Sequence, residues 1–196
     1  DDSAFFTDRD ISRLTPAQVW WGPTPPGDLP QPPLTITKPK TEGKTPGFFV
    51  KDTRGVGYLF KLDPVDAPEL LSGAEVVTSK LLYALGYHVP SYEIATVRPE
   101  QFVVPEGMTR KDRRGRRHAF TQADLETLLQ PRLQEGKVRV SASRLLDGEI
   151  LGPARFRRFR DCAEVRALKV VSAWVNNIDT KDHNTLLVWD GTKTVG

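Results

Sequence analysis

The stretch "FFVKDTRGVGYLFKLDP" (48–64) holds two runs of aromatic and branched residues separated by the turn signal "RGVG" (54–57). Such runs around a glycine-bearing turn are typical of paired β-strands. A shorter alternating run, "PLTITKPK" (33–40), precedes them, and the loop "TEGKTPG" (41–47) joins it to this stretch. The order predicts a meander of three antiparallel strands, which Pro64 brings to an end.

The period of the apolar residues changes directly after the meander. In "SGAEVVTSKLLYALGYHVP" (72–90), apolar residues recur at helical spacing between Val77 and Leu85. Ser72 is a natural N-cap for this helix, and Gly86 is a natural stop. The segments "YEIATV" (92–97) and "KVRVSASRLL" (137–146) return to the pattern of strands.

The remainder of the chain predicts three regions. Residues 1–33 form an extended, proline-rich leader with no helix of its own. Residues 34–146 carry the meander and the first helix, with an insertion at 98–137 that holds a basic loop and a short helix capped by Thr121. Residues 147–196 begin with a Gly/Pro connector and continue into a second helix. The fold class is therefore α+β, with a β-rich part first and a helical part second.

Composition limits the class of protein without fixing its compartment. No apolar run approaches the roughly 20 residues of a membrane span, and the single Cys162 excludes an internal disulfide. A reduced cytoplasm and export without disulfides both stay open. The net charge is only +3, but "TRKDRRGRRH" (109–118) and "RFRRFR" (155–160) are locally basic. These runs are either solvated surfaces or sites for anionic partners; nucleic acid is the less favoured partner.

One polar loop has the spacing of a phosphotransfer site. In "WVNNIDTKDHNTLLVWDG" (174–191), Asn184 follows Asp179 by five residues, and Lys181 lies between them. The protein-kinase catalytic loop, H-R-D-L-x-x-x-N, separates its base Asp from its metal-binding Asn by the same interval. Ordinary turn residues are the alternative interpretation of this loop.

A second pair of residues occurs where a kinase needs it. Kinases place a lysine on the third strand and pair it with a glutamate on the next helix. Lys61 lies on the third predicted strand, and Glu75 lies near the start of the helix that follows. Lys61 could instead be an edge-strand lysine. Glu75 could instead close an S-x-x-E capping box with Ser72, which would keep it away from Lys61.

Together these segments resemble the protein-kinase-like superfamily in its divergent bacterial branches. "GAEVVTSKLLYALGYHVPSYEI" (73–94) resembles the glutamate-bearing helix of the HipA-type kinases and of the atypical lipid-kinase-like group. "FFVKDTRGVGYLFKLDP" and "AWVNNIDTKDHNTL" (173–186) extend the resemblance, which covers residues 34–97 and 137–190. It implies a kinase-like fold, in which a small antiparallel β-rich N-terminal lobe with one key helix is followed by the start of a helical C-terminal lobe.

The resemblance also implies roles for individual residues in binding ATP. Lys61 would hold the α/β-phosphates, Glu75 would orient Lys61, and the strand end at Leu145 and Leu146 would pack on adenine. The loop between the first two strands would cover the phosphates, although it lacks the G-x-G-x-x-G form. Its candidate nucleotide-binding residues are Gly43, Lys44, Thr45 and Gly47.

For catalysis, the resemblance implies that Asp179 orients the acceptor hydroxyl, Lys181 steadies the γ-phosphate and Asn184 binds Mg²⁺. The protein would then be an ATP- and Mg²⁺-dependent phosphotransferase acting on a hydroxyl of a protein Ser/Thr or of a small molecule. Asn177 and Ile178 replace the usual His-Arg, and no D-F-G is present; Asp190–Gly191 is predicted to be a hairpin turn. The metal-binding Asp is expected beyond residue 196. The alternative is a pseudokinase that binds nucleotide without turnover.

Overall fold

The computed structural model describes residues 2–40, 45–112 and 114–196. Within these ranges the helices and strands are, in chain order, α1 Pro16–Trp21, β1 Leu34–Pro39, β2 Gly47–Lys51, β3 Gly57–Leu62, α2 Leu70–Ala84, β4 Tyr92–Val97, β5 Phe102–Val103, β6 Thr109–Lys111, β7 Arg117–Ala119, α3 Gln122–Leu129, β8 Leu133–Gln134, β9 Lys137–Arg144, β10 Glu149–Pro153, α4 Ala163–Trp174, β11 Leu186–Trp189 and β12 Thr194–Val195. The predicted α+β class is confirmed.

The chain divides into two units. The sheet unit consists of Thr24–Val77 and Ser91–Leu145, and the hairpin unit consists of Asp1–Pro23, Thr78–Pro90 and Leu146–Gly196. The division falls between Val77 and Thr78 within α2, and between Leu145 and Leu146 after β9. The segment predicted as a leader, 1–33, is shared between the two units.

An antiparallel-rich sheet forms the centre of the sheet unit. Its strand order is β4-β9-β3-β2-β1-β5, in which only β1 and β5 run parallel, and β8 adds to β9. The strand β3 is internal, and its alternation buries Tyr58, Phe60 and Leu62 on one face. Burial of each such side chain contributes roughly 1.5–3 kcal/mol, so this face anchors the meander that the sequence predicts.

The 98–137 insertion supplies much of the core of this unit. As predicted, Thr121 caps α3, and the apolar face of that helix buries Leu125 and Leu129. The prediction of a basic loop at 109–118 is wrong, because β6 and β7 pair as a hairpin. Asp112 closes its turn by accepting hydrogen bonds from the backbone N–H groups of Arg114 and Arg116.

Helix α2 does not begin as predicted. It starts at Leu70, so Ser72 is its third residue and not its N-cap. The cap comes from the end of β3, where Asp63 Oδ1 accepts from the Ser72 N–H at 2.8 Å and Asp63 Oδ2 accepts from the Ser72 hydroxyl at 2.5 Å. A carboxylate at this end of the helix is also stabilised by the positive pole of the helix dipole. The stop at Gly86 is confirmed, with a φ of +102° that suits glycine.

The hairpin unit corrects two further predictions. The leader does contain a helix: α1 has a complete capping box between Thr15 and Gln18, with Pro16 at its first position. The segment 147–153 is not a connector but the strand β10, which pairs with β11. The predicted helix from Asp161 is present as α4, and it buries Val165.

A small apolar cluster of Phe5, Ala154 and Val165 forms the core of the hairpin unit. The half-buried Cys162 packs against it and is a free thiol. Across the described ranges, no helix is long and apolar enough to cross a membrane.

Candidate functional site

Lys61 lies in the interior of the main sheet. Its strand, β3, is hydrogen-bonded to β2 on one side and to β9 on the other, which rules out the edge-strand interpretation. Because Phe60 and Leu62 are buried on one face, Lys61 projects from the opposite face, as the alternation predicts. Its side chain keeps 22% of its surface exposed.

Glu75 of α2 pairs directly with Lys61. The Lys61 ammonium donates a hydrogen bond to Glu75 Oε1. The other carboxylate oxygen, Oε2, accepts a hydrogen bond of 2.7 Å from the hydroxyl of Ser141. Ser141 is the direct cross-strand partner of Lys61 on β9. Both oxygens of Glu75 are therefore held, and the carboxylate has a fixed orientation toward the lysine.

The capping of α2 by Asp63 is what leaves Glu75 free to reach the sheet. Since Asp63 satisfies the Ser72 N–H, no capping box draws Glu75 back along the helix. Arg139 of β9 also stabilises the start of α2, because it donates hydrogen bonds to the Asp63 carboxylate and to the Ser72 hydroxyl. Arg132 donates to the Asp63 carbonyl at 2.8 Å, and burial lowers the pKa of its guanidinium.

An aromatic ring borders the pair. The Lys61 ammonium lies 5.9 Å from the centre of the Tyr92 ring, within the range of a cation–π interaction. A partly exposed ion pair such as Lys61–Glu75 contributes only about 1 kcal/mol or less to stability. Its hydrogen bonds fix where the two charges lie.

The loop before β2 is described only in part. Gly43 and Lys44 lie outside the described residues. The carbonyl of Thr45 accepts a hydrogen bond from the Lys40 ammonium at 2.8 Å. A Cβ at Gly47 would lie 2.2 Å from the carbonyl oxygen of Phe60, so the close approach of β3 accounts for this glycine without any ligand.

In the hairpin unit, the polar loop after α4 gathers its three candidate residues. The Lys181 ammonium donates to Asp179 Oδ1 at 2.6 Å, and the Asn184 amide donates to the Asp179 carbonyl at 2.7 Å. The side chains of Asp179 and Lys181 are 69% and 62% exposed. The side chain of Asp179 is therefore accessible to a ligand. Asn184 lies beside Asp179 because its amide is hydrogen-bonded to the Asp179 backbone carbonyl.

The neighbouring residues shape this loop, as the sequence predicts. Asn176 has a φ of +53° and ends α4, while the Asn177 side chain accepts from the Asp179 N–H at 3.0 Å. Thr180 donates to Ser172 of α4 at 2.7 Å. Asp182 accepts from the Phe156 N–H at 3.1 Å, so its carboxylate is used in fixing the loop.

Asp190–Gly191 forms the predicted hairpin turn between β11 and β12. Asp190 Oδ1 accepts from the Thr192 hydroxyl at 2.7 Å and from the N–H groups of Thr192 and Lys193, which lowers the pKa of Asp190 to about 2. Gly191 has a φ of +99°. These hydrogen bonds to Oδ1 close the turn, which accounts for Asp190 without a metal ligand role.

The strand end predicted to pack on adenine continues the ladder of the sheet for one residue. The Leu145 N–H donates to the Gly57 carbonyl at 2.9 Å, and a Cβ at Gly57 would lie 2.8 Å from Leu145 Cδ1. Leu145 and Leu146 both expose about two fifths of their surface, at 42% and 38%. They are apolar side chains accessible to a flat ligand.

Ser141 is the residue that sequence reasoning missed. The strand "KVRVSASR" holds two serines among small and apolar residues, which is the one signal that β9 presents polar groups. Ser141 retains only 1% of its surface, and a buried hydroxyl needs a partner. That partner, Glu75, is 66 residues away in sequence, so spacing could not reveal it.

Within the described ranges, no group of three or more His, Cys, Asp or Glu side chains is arranged to hold a metal ion. Mg²⁺ in phosphotransfer sites needs only one or two protein ligands, because phosphates and water supply the others. Asp179 and Asn184 offer oxygen ligands of that kind. Comparisons with family models, curated proteins and solved structures give no match to the chain.

Proposed function

We propose that the protein is a nucleotide-binding phosphotransferase that passes the γ-phosphoryl group of Mg·ATP to a hydroxyl. In this proposal the sheet unit is the small lobe of a protein-kinase-like fold. The candidate residues fall into two groups: Lys61 and Glu75 act on the nucleotide, and Asp179, Lys181 and Asn184 act on the transferred group and its metal.

One observation carries the proposal, namely the Lys61–Glu75 pair. A lysine on the third strand and a glutamate on the next helix are two parts that kinases require together. Here the two side chains are hydrogen-bonded, and Ser141 holds the second oxygen of the carboxylate. An ammonium fixed in this way neutralises phosphate oxygens at little reorganisation cost, which is how such sites lower the barrier to transfer.

The polar loop of the hairpin unit supports the second half of the chemistry. Asp179 is exposed and has carboxylate oxygens with which to orient an acceptor hydroxyl and accept its proton. Lys181 is within hydrogen-bonding distance of Asp179 and supplies a cation for the developing negative charge. The oxygen of the Asn184 amide would hold Mg²⁺, which when bound neutralises charge on the phosphates.

Transfer of label from [γ-³²P]ATP tests the proposal as an enzyme. We expect the chain to label a serine- or threonine-bearing protein, or itself, in the presence of Mg²⁺. Asp179→Asn should lower the rate about 100-fold or more, the usual effect of losing a positioned general base, with ATP binding unchanged. Asp147→Asn is the matched control, because Asp147 is an exposed aspartate of the same unit that lies outside the loop.

A nucleotide-binding module without turnover is the second candidate. It is favoured by the direct pairing of Lys181 with Asp179. Under this alternative, ATP binds in a Lys61-dependent manner and no label is transferred. Absence of both binding and transfer would contradict both candidates.

A further inference from the structure

A short turn before α4 carries the densest positive charge of the hairpin unit. Residues 155–160, here called the arginine turn, read Arg-Phe-Arg-Arg-Phe-Arg, and Phe156–Phe159 form a single 3₁₀ turn. The four arginines are all exposed. Together with Asp161 they line a depression of about 530 Å³. This volume is within the range of small-ligand sites, about 300–1,000 Å³.

The two phenylalanines fix this turn from below. Phe156 and Phe159 pack on the core of the hairpin unit, and the ring of Phe159 meets the ring of Phe5 edge-on at 4.8 Å. The Arg158 N–H donates to the Arg155 carbonyl at 2.8 Å and the Phe156 N–H donates to Asp182, so the backbone is also held. The arginines thus project from a fixed base and not from a free loop.

The positive charge of the turn is poorly compensated. In the described part of the chain, the one ion pair within it joins Arg160 to Asp161 at 3.7 Å, and both side chains are largely exposed. Among the described residues, no carboxylate forms an ion pair with Arg155, Arg157 or Arg158. Guanidinium groups crowded in this way repel one another, and a multiply charged anion relieves that repulsion. Phosphate suits them best, because its oxygens match the paired donors of guanidinium.

The lining distinguishes a small phosphate-bearing ligand from nucleic acid. Proteins that bind single strands interleave basic groups with exposed aromatic rings on which bases stack. Here both aromatic rings face the core. A six-residue turn with a rise of about 2 Å per residue spans only about 10 Å. This length is short for a surface that binds along a polynucleotide backbone.

We propose that the arginine turn is a binding site for a small ligand carrying two or more adjacent phosphate groups. Free polyphosphate and the phosphate chain of a nucleotide share this chemistry. The site uses residues other than Lys61 and Glu75, so it does not depend on the function proposed above. It would give the hairpin unit an anion specificity of its own.

Calorimetric titration with tripolyphosphate tests this proposal directly. We expect Arg157→Gln/Arg158→Gln to raise the Kd at least about tenfold, since each charge-assisted hydrogen bond is worth roughly 1.5–3 kcal/mol. The matched control is Lys111→Gln/Arg117→Gln, which removes two exposed cations from the β6–β7 hairpin of the sheet unit. The control should bind within about twofold of the unaltered chain, because neither Lys111 nor Arg117 lines the depression.

Three further arms identify the ligand. Adenosine should not bind the turn, whereas ATP should compete with tripolyphosphate if the phosphate chain is the recognised part. Lys61→Ala should keep the tripolyphosphate site.

The proposal is overturned if tripolyphosphate does not bind at millimolar concentration, if both double variants weaken binding equally, or if a DNA oligonucleotide binds the turn more tightly. Loss of tripolyphosphate binding in Lys61→Ala alone would overturn this site while supporting the nucleotide site.

Discussion

Ser141 has the clearest consequence at the scale of single residues. Its hydroxyl donates to Glu75 Oε2, so it sets the direction of the carboxylate that faces Lys61. We predict that Ser141→Ala lowers the free energy of unfolding by about 1 kcal/mol, the usual value of a lost hydrogen bond. It should also weaken ATP binding several-fold, whereas Ser143→Ala on the same strand should not. Chemical denaturation and ATP titration of both variants measure the two effects.

If Ser141→Ala loses stability but binds ATP as tightly as the unaltered chain, Ser141 merely fills a buried position. Restoration of binding by Ser141→Thr would separate orientation of Glu75 from packing, because threonine keeps the hydroxyl.

His88 gives the stability of the hairpin unit a dependence on pH. Its Nδ1 donates to the Ala4 carbonyl at 3.0 Å, and its Nε2 accepts from the Thr7 hydroxyl at 3.0 Å. Burial, together with the positive charges of Arg9 and Lys193, lowers the pKa of His88 below its ordinary 6.5. Folding therefore disfavours the charged imidazolium form of His88.

Acid should destabilise the chain through this residue. Below about pH 6.5, His88 binds a proton in the unfolded chain but not yet in the folded chain, because its folded pKa is lower. The contribution of His88 to the free energy of unfolding is therefore complete above that pH, and it is lost as the pH falls toward the lowered pKa. We predict that the free energy of unfolding falls as the pH decreases below about 6.5, by up to about 1.4 kcal/mol per pH unit. His88→Gln should remove this part of the slope in urea titrations, and an unchanged slope would contradict the assignment.

At the scale of elements, the start of α2 depends on Asp63. This buried carboxylate receives both the N–H and the hydroxyl of Ser72, and Arg139 donates to it as well. We predict that Asp63→Ala lowers the free energy of unfolding by roughly 1–3 kcal/mol, because it leaves buried donors unpaired. The exposed Asp66, three residues later, is the control, and Asp66→Ala should change stability by less than about 0.5 kcal/mol in the same denaturation experiment. Equal effects of the two substitutions would show that the cap is not what holds the helix.

Local patterns predicted those elements whose causes are local. The alternation in "YLFKLDP" gave β3 and the outward direction of Lys61, and the Thr121 cap gave the start of α3. The prediction of Ser72 as the N-cap of α2 is wrong, because the capping carboxylate belongs to Asp63, nine positions before Ser72 in the sequence. The strand β10 was missed because its glycine and proline suggest a connector, and only its pairing with β11 makes it a strand.

At the scale of the whole molecule, the composition of each unit could not be deduced from sequence order. The hairpin unit draws on three separate stretches of the chain, and Phe6 forms a bridge with Tyr87 across 81 positions of sequence. Such long-range pairings depend on burial, which a local pattern does not encode. The contact between Lys61 and Glu75 agrees with the predicted order of strand and helix, whereas the roles of Lys61, Glu75, Asp179 and Asn184 stay predictions.

The most direct test of the central claim is the thermal unfolding midpoint of the chain with and without Mg·ATP. A ligand at 100 times its Kd stabilises by about 2.7 kcal/mol, and a chain of this size gains about 2–4 °C per kcal/mol. The account predicts such a rise for the unaltered chain and for Lys51→Ala, an exposed lysine on β2, and a clearly smaller rise in Lys61→Ala, in which only the arginine turn can still bind the phosphate chain. A rise of the same size in Lys61→Ala, or none in the unaltered chain, would contradict the account.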